Sequence, residues 1–353
     1  MPIRLLCCLM SLLLPSLSRA QPAAAPPRYR NLVMRGGGIR GIAYGGALQE
    51  LEQQGVLAGI TRVGGTSAGA IQAALLAVGY SPAAIIDVIN NTPVQRLNDG
   101  RFIFIGGGHR LLRQYGWYRG EQFTKYLGEL VGARTQRPDL TLGELHRLAL
   151  TQPGHYRDLY TTGTNLTRQC TQVFSYETHP TMRVADAVRI SMSIPLYFRA
   201  VLLDADNKVI SGRPRRGQPV QVLVDGGLLA NYPLRLFDEP RYLPAGLPPG
   251  TTANPETLGL RLDRAEQIAL DTLPTGRQAL APYTIRDFGS YIGALYTVAL
   301  ENLNPTQPAD WPRTVSISTR GFNPKIKRLS LAQKQELVES GRQGVREFFK
   351  RAN

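Results

Sequence analysis

The chain has 353 residues, 43% of them hydrophobic, with 41 Lys and Arg against 26 Asp and Glu and a formal charge of +15. Such a length suits one large α/β domain or two smaller ones, and the basic excess favours anionic partners, either nucleic acid or an anionic membrane surface. Two of the three cysteines lie within the first 20 residues, so without that segment only Cys170 remains, an intramolecular disulfide is excluded, and an ordinary hydrophobic core must hold the fold.

The first segment reads as an export signal. Met1-Pro2-Ile3-Arg4 is a basic start, residues 5–17 are apolar, and Ser18-Arg19-Ala20 places small residues where a signal peptidase cuts. The apolar run falls short of the roughly 18–20 residues that a spanning helix needs, and Pro15 interrupts it. Cys7-Cys8 stand at the front of the run, the wrong end for a lipoprotein signal. Residues 1–20 are therefore expected to be cleaved and the protein to be exported, periplasmic or secreted. Loss of Arg4 and Arg19 leaves +13. An exported basic protein meets lipid more readily than nucleic acid, so a lipid substrate and an anionic membrane are the expected partners, with oligomeric state open. Residues 21–28, rich in Ala and Pro, read as a disordered lead, and residues 29–353 as the folded domain.

Residues 29–34 are a predicted strand, followed by Gly36-Gly37-Gly38-Ile39-Arg40-Gly41 and a helix over 43–54. Gly36, Gly38 and Gly41 satisfy G-x-G-x-x-G, the pattern of a dinucleotide site. The second strand then ends on Gly64-Gly65-Thr66-Ser67 instead of the acidic residue that a ribose needs, and export argues further against a nicotinamide cofactor. A glycine run before a helix aims several N–H groups at one point, which suits any anion, a developing oxyanion included. Gly65-Thr66-Ser67-Ala68-Gly69 has the G-x-S-x-G spacing of a nucleophile elbow, set between an apolar lead-in and an alanine-rich helix. The plainer alternative is a glycine turn closed by an N-capping Ser67.

Further on, helices are predicted over 81–90, 120–131, 141–150 and 184–193, the last ending before Pro195, with an irregular stretch over 92–116. Strands are predicted over 158–165, 171–176, 198–204, 208–210 and 221–224, the last running into Asp225-Gly226-Gly227. Residues 239–255, with five prolines, read as a surface excursion. Residues 258–262 and 314–318 are strand candidates. Residues 284–301 place Phe288, Tyr291, Ile292, Leu295 and Val298 at helical spacing as a core-facing stripe, and a terminal helix from Ser330 should dock Leu337, Val345, Phe348 and Phe349. There is no internal repeat, and the alternation of strands and helices implies a three-layer α/β/α domain with a mainly parallel central sheet.

A serine at an elbow needs a base. His109, His146, His155 and His179 all precede Asp225, whereas an α/β-hydrolase places its histidine late, and too few strands precede Ser67 for that fold. The histidines read as ordinary surface or helix residues. Asp225, at a strand's carboxyl end beside two glycines, is the better base, the alternative being a turn-forming Asp-Gly.

Three motifs thus stand in order: Gly36-Gly37-Gly38-Ile39-Arg40-Gly41, Gly65-Thr66-Ser67-Ala68-Gly69 and Asp225-Gly226-Gly227. The chain resembles the patatin-like phospholipase family, and the resemblance takes in Val188-Arg189-Ile190-Ser191-Met192-Ser193-Ile194-Pro195 and Asn231-Tyr232-Pro233, over roughly residues 30–235. It implies a lipid acyl hydrolase with nucleophile Ser67 and partner Asp225 in a dyad without histidine, an oxyanion hole at Gly37, Gly38 and Gly41 with Arg40 beside them, and no cofactor or metal. A catalytically silent secreted lipid-binding relative is the alternative. A free Asp titrates near about 3.9, so Asp225 must be buried to act as a base near neutrality. Residues 236–353 are a C-terminal extension outside the resemblance, and Arg213-Pro214-Arg215-Arg216 is the expected contact with an anionic membrane, the alternative being a solvated hairpin tip with no partner.

Overall fold

The computed structural model describes residues 29–92, 99, 111, 115–212, 214–273, 279–287, 290, 291, 293–295, 297, 298, 306–322 and 329–352. The expected signal and lead, most of the stretch 92–116 with His109, and Arg213, Phe288 and Ile292 lie outside the described residues.

The strands are β1 (Asn31–Met34), β2 (Arg62–Gly65), β3 (Gly116–Tyr118), β4 (Asp158–Asn165), β5 (Cys170–Phe174), β6 (Leu196–Phe198), β7 (Val201–Leu203), β8 (Gln221–Asp225), β9 (Thr257–Asp263) and β10 (Thr314–Ser318). Eight of them form the main sheet, and β3 pairs with β6 apart from it. β10, β9, β1, β2 and β4 are parallel neighbours in that order, while β5 and β8 run antiparallel to β4, and β7 to β8. The α/β class and largely parallel sheet expected from the sequence are both present.

β1 is buried along its whole length because it has apolar neighbours on both faces. Leu32 and Met34 enter the main core, and Val33 packs with Tyr160, Phe237 and Tyr242 on the other side. The helices Ala43–Gln53, Ala68–Ala77 and Leu331–Ala352 supply the main core, with Leu337 and Val345 fully buried as the sequence implied. The opposite face is covered by short 3-10 turns, Leu234–Phe237 and Pro240–Tyr242. The proline-rich excursion is therefore anchored at two points: Tyr242 is buried, and Asn254 Nδ2 donates to Phe237 O at 2.9 Å and Tyr242 O at 2.8 Å.

Two expectations need correction. Tyr291, Leu295 and Val298 are 46%, 51% and 49% exposed, so these members of the predicted stripe do not face the core. Periodicity defines one face of a helix but not what that face meets. The predicted strand over 208–210 reduces to a single bridge between Leu203 and Val209, since the turn beside it leaves no length for a ladder.

One topological feature positions the site. Asp158 N donates to Thr61 O at 3.0 Å and Leu166 N to Val222 O at 2.9 Å. These donors are an even number of residues apart on one extended strand, so both point to the same edge of β4. β2 lines that edge along residues 158–161 and β8 along residues 163–165, running in opposite directions. Their carboxyl ends therefore converge at Thr162, while β5 takes the other edge. Residues beyond 236 are integral to this sheet, because β9 lies between β1 and β10.

Candidate active site

Ser67 stands two residues beyond the end of β2 with φ 54 and ψ −119, a left-handed backbone that strains a residue with a side chain by about 1–3 kcal/mol. The turn closes so tightly that a Cβ on Gly69 would lie 2.2 Å from Met34 O, and one on Gly65 2.4 Å from the Gly69 carbonyl carbon. The spacing around the serine is thus a packing requirement. Ser67 makes no side-chain cap to the helix Ala68–Ala77, which removes the N-cap alternative. Its own N–H donates to Ser191 Oγ at 3.0 Å, and its carbonyl accepts from Ile71 N at 3.1 Å.

Asp225 ends β8 and is 4% exposed. Oδ1 accepts the Gly227 N–H at 2.7 Å. Burial pushes the carboxyl up to about 7, with the Gly227 N–H and the Ser67 hydroxyl pulling the other way. The hydroxyl lies close enough to favour the ionised carboxylate, although Oδ2 completes no hydrogen bond among the described residues. Bonds of this kind tighten once a substrate is bound.

The glycine loop after β1 closes the third side. A Cβ on Gly36 would lie 3.4 Å from Ser67 Cβ, and the Gly36 N–H donates to Asn231 O at 2.9 Å. Gly38 has φ 56 and begins the 3-10 turn Gly38–Ile42. The N–H groups of Gly37 and Gly38 meet no protein acceptor among the described residues. Arg40 folds back, its Nε donating to Gly37 O at 3.0 Å, and Gly41 packs inside the turn against Ala68. Behind the loop, buried Arg35 donates to Leu262 O at 2.9 Å and to Asp263 Oδ1 at 3.1 Å, and burial lowers its pKa to about 10. Asp263 also meets Arg261 at 3.0 Å.

Several contributors escaped sequence reasoning. Ser191 and Ser193 were legible only as part of a family-like stretch. Here Ser191 Oγ holds the Ser67 N–H, and Ser193 O accepts the Asp225 N–H at 2.9 Å. Arg189, buried on the helix Val184–Ser191, donates to Ser193 Oγ, to Gly120 O at 3.2 Å, and to Arg119 O and Arg199 O at 2.9 Å each. Of the histidines, His146 bonds Asp158 at 2.8 Å at the far end of β4, and His155 lies against Gly79. His179 is buried, contrary to its reading as a surface residue, and meets Gln172 at 3.0 Å and Thr178 at 2.9 Å. Burial lowers its pKa, so it is neutral at pH 7. No described histidine contacts Ser67 or Asp225.

A cavity of about 860 Å³ opens on the thinly covered face of the sheet, between β5 and residues 230–242. Its lining includes Thr162 and Ala230 but neither Ser67 nor Asp225, so the gap between those two is the better candidate for the reacting centre. No group of His, Cys, Asp or Glu among the described residues has the arrangement of a metal site.

A largely parallel sheet, a strained serine at a strand-to-helix turn, a buried carboxylate at the end of β8 and a glycine loop after β1 stand together on an α/β fold. The chain belongs to the patatin-like phospholipase family, whose model matches residues 32–238. It is 34% identical over 225 residues to the uncharacterized protein YqhO of Bacillus subtilis, covering 61% of this chain and 69% of that one. It is 26% identical over 214 residues to the probable lipid hydrolase 463L of Invertebrate iridescent virus 6, covering 59% and 63%. Among solved structures it is similar in fold to VipD from Legionella pneumophila, with TM-score 0.56, 19% identity and coverage of 92% and 67%. ExoU from Pseudomonas aeruginosa matches with TM-score 0.51, 21% identity and coverage of 93% and 53%.

Proposed function

We propose that the protein is a serine acyl hydrolase that cleaves carboxylic esters of phospholipids or related lipids. The observation that carries this reading is the meeting of a strained, uncapped Ser67 with a carboxylate raised to about 7 by burial, at the point where two opposed strands end. A base titrating near the working pH is best matched to its task. Lipid as the substrate class is supported by the family match and by the relative described as a probable lipid hydrolase.

Asp225 takes the Ser67 proton as Oγ attacks the ester carbonyl. The oxyanion is received by the N–H groups of Gly37 and Gly38, with Arg40 and Gly41 holding the loop in place. Collapse breaks the C–O bond, and the proton passes from Asp225 to the leaving alcohol. Water then attacks the acyl carbon as Asp225 takes its proton, and the acyl–Oγ bond breaks as Asp225 returns that proton to Ser67, freeing the carboxylic acid. We also infer export to the periplasm or beyond from residues 1–20, which sequencing the N-terminus of the recovered protein checks.

The deciding experiment is labelling with a fluorophosphonate and mapping of the modified residue. Modification at Ser67, with loss of short-chain ester hydrolysis in Ser67→Ala, is expected. Labelling of another serine, or unchanged hydrolysis in Ser67→Ala, defeats the reading and leaves a silent lipid-binding protein as the alternative.

A further inference from the structure

Asn231 follows the short helix Gly227–Ala230 with φ −65 and ψ −34, an ordinary right-handed backbone that makes no demand for asparagine. Its main chain is nevertheless clamped on both sides. Asn231 O accepts the Gly36 N–H at 2.9 Å, Ala230 O accepts the Thr66 hydroxyl at 2.7 Å, and the Tyr232 hydroxyl meets Thr314 Oγ1 at 2.9 Å. One short segment is thereby tied to the glycine loop, to the residue before Ser67 and to the start of β10.

The side chain held in this way touches every part of the site. A Cβ on Gly36 would collide with Asn231 Oδ1 and lie 3.4 Å from Ser67 Cβ. A Cβ on Gly227 would lie 3.3 Å from Asn231 Oδ1 and 3.1 Å from Asp225 Oδ1. The carboxamide therefore borders the glycine loop at Gly36, near the nucleophile, and the catalytic carboxylate at Gly227. Asn231 is 4% exposed, yet its carboxamide makes no hydrogen bond with any described residue. Buried side-chain amides are nearly always bonded, so an open one inside a site points to a reactant as its partner.

We propose that Asn231 Oδ1 and Asp225 together hold the water that releases the acyl group from Ser67, a role that rests on the acyl-hydrolase reading. A water bonded to Asp225 alone is free to swivel about that bond. A second acceptor fixes its other proton and aims its lone pair at the acyl carbon, and an amide oxygen does so without competing as a base. Asp225 takes one proton as the water oxygen forms the new bond to the acyl carbon. The proton bonded to Asn231 stays on that oxygen and leaves with the carboxylic acid. The acyl–Oγ bond breaks as Asp225 returns its proton to Ser67. Formation of the acyl-enzyme uses no water, so Asn231 is a catalytic residue of the second half of the cycle alone.

The test separates the two halves. Asn231→Leu keeps the bulk of the side chain and removes the acceptor, and Asn231→Ala removes it without pressing on Gly36. With a short-chain p-nitrophenyl ester, each variant should release a burst of nitrophenolate stoichiometric with enzyme at the wild-type rate. Steady turnover should then be about 10–100-fold below wild type, with the acyl group found on Ser67 by mass spectrometry. A fluorophosphonate should label both variants as fast as wild type, because labelling consumes no water. Steady turnover equal to wild type in either variant overturns the proposal. So does slowed labelling in both, because Asn231 would then be holding the nucleophile or the glycine loop in place. A wild type that neither hydrolyses the ester nor takes the label defeats the acyl-hydrolase reading itself, whereas an active wild type with unaffected variants defeats only the role of Asn231.

Discussion

Thr162 donates its hydroxyl proton to Thr66 Oγ1 across 2.6 Å. The direction follows because Thr66 gives its single proton to Ala230 O at 2.7 Å and has only lone pairs left for Thr162. Thr162 stands where β2 and β8 run out toward each other, so its hydroxyl couples the residue before Ser67 to the chain after Asp225. Thr162→Val keeps the shape and removes that donor. It should cost about 1 kcal/mol in denaturant unfolding and lower kcat more than it raises KM.

Asp225→Asn should preserve the turn, because an amide oxygen still accepts the Gly227 N–H, and should lower kcat by a factor of about 10²–10⁴. In the wild type, kcat/KM should rise with pH and level off above a midpoint near about 7. Stability should move the other way. A folded-state pKa above the unfolded value adds stability that is fully present below about 3.8 and is lost as pH rises through about 7. Asp225→Asn should therefore be more stable than wild type at pH 8, by something on the order of 2–4 kcal/mol, and the gap should close as pH falls toward 4. Thermal melting at the two pH values measures it.

The oxyanion role proposed for the glycine loop has its own signature. At φ 56, Gly38→Ala forces a side chain into a left-handed backbone, at a stability loss of about 1 kcal/mol, and displaces an N–H. Its kcat should fall about 10²–10³-fold, far more than the change in melting temperature explains.

Charge should give membrane binding a salt-sensitive part. Arg215 and Arg216 are exposed in the loop before β8. Near anionic lipid each Arg could add about 1 kcal/mol of attraction, screened over about 8 Å at physiological salt. Changing Arg213, Arg215 and Arg216 to Gln should weaken flotation with anionic vesicles at low salt and leave neutral vesicles unaffected. Equal binding of wild type to both vesicle types would remove this electrostatic part.

The residues of the site were legible where their chemistry is local. A nucleophile turn advertises itself through the glycines it cannot do without, and Ser67 and Gly65 through Gly69 fall within five positions. Asp225 could be named because a carboxylate at a strand's carboxyl end beside two glycines can come close to the end of another strand. What could not be read was how the two meet. β8 shares an edge with β2 and opposes it, and register between strands set by residues more than 150 positions apart leaves no local trace. The brace from Ser191 was hidden for the same reason, since an ordinary buried serine and one that holds a backbone N–H look alike in a sequence. The outward stripe at Tyr291, Leu295 and Val298 shows the converse, a clear period whose partner was misjudged.

The place of β9 sets the order in which this molecule can be made. Asn31 at the start of β1 bonds Thr257 at the start of β9 at 3.2 Å, across 226 positions of chain. β1 is thus left with an open edge until most of the polypeptide has been synthesised, and contacts this distant in sequence form late and slowly. Arg35 and the glycine loop wait on Asp263 in the same way. A partial chain that holds Ser67 also holds Gly37 and Gly38, but not Asp263, which Arg35 behind the loop pairs with. The sheet edge behind the glycine loop is therefore completed last, so a chain that ends before β9 lacks the strand against which β1 and Arg35 pack.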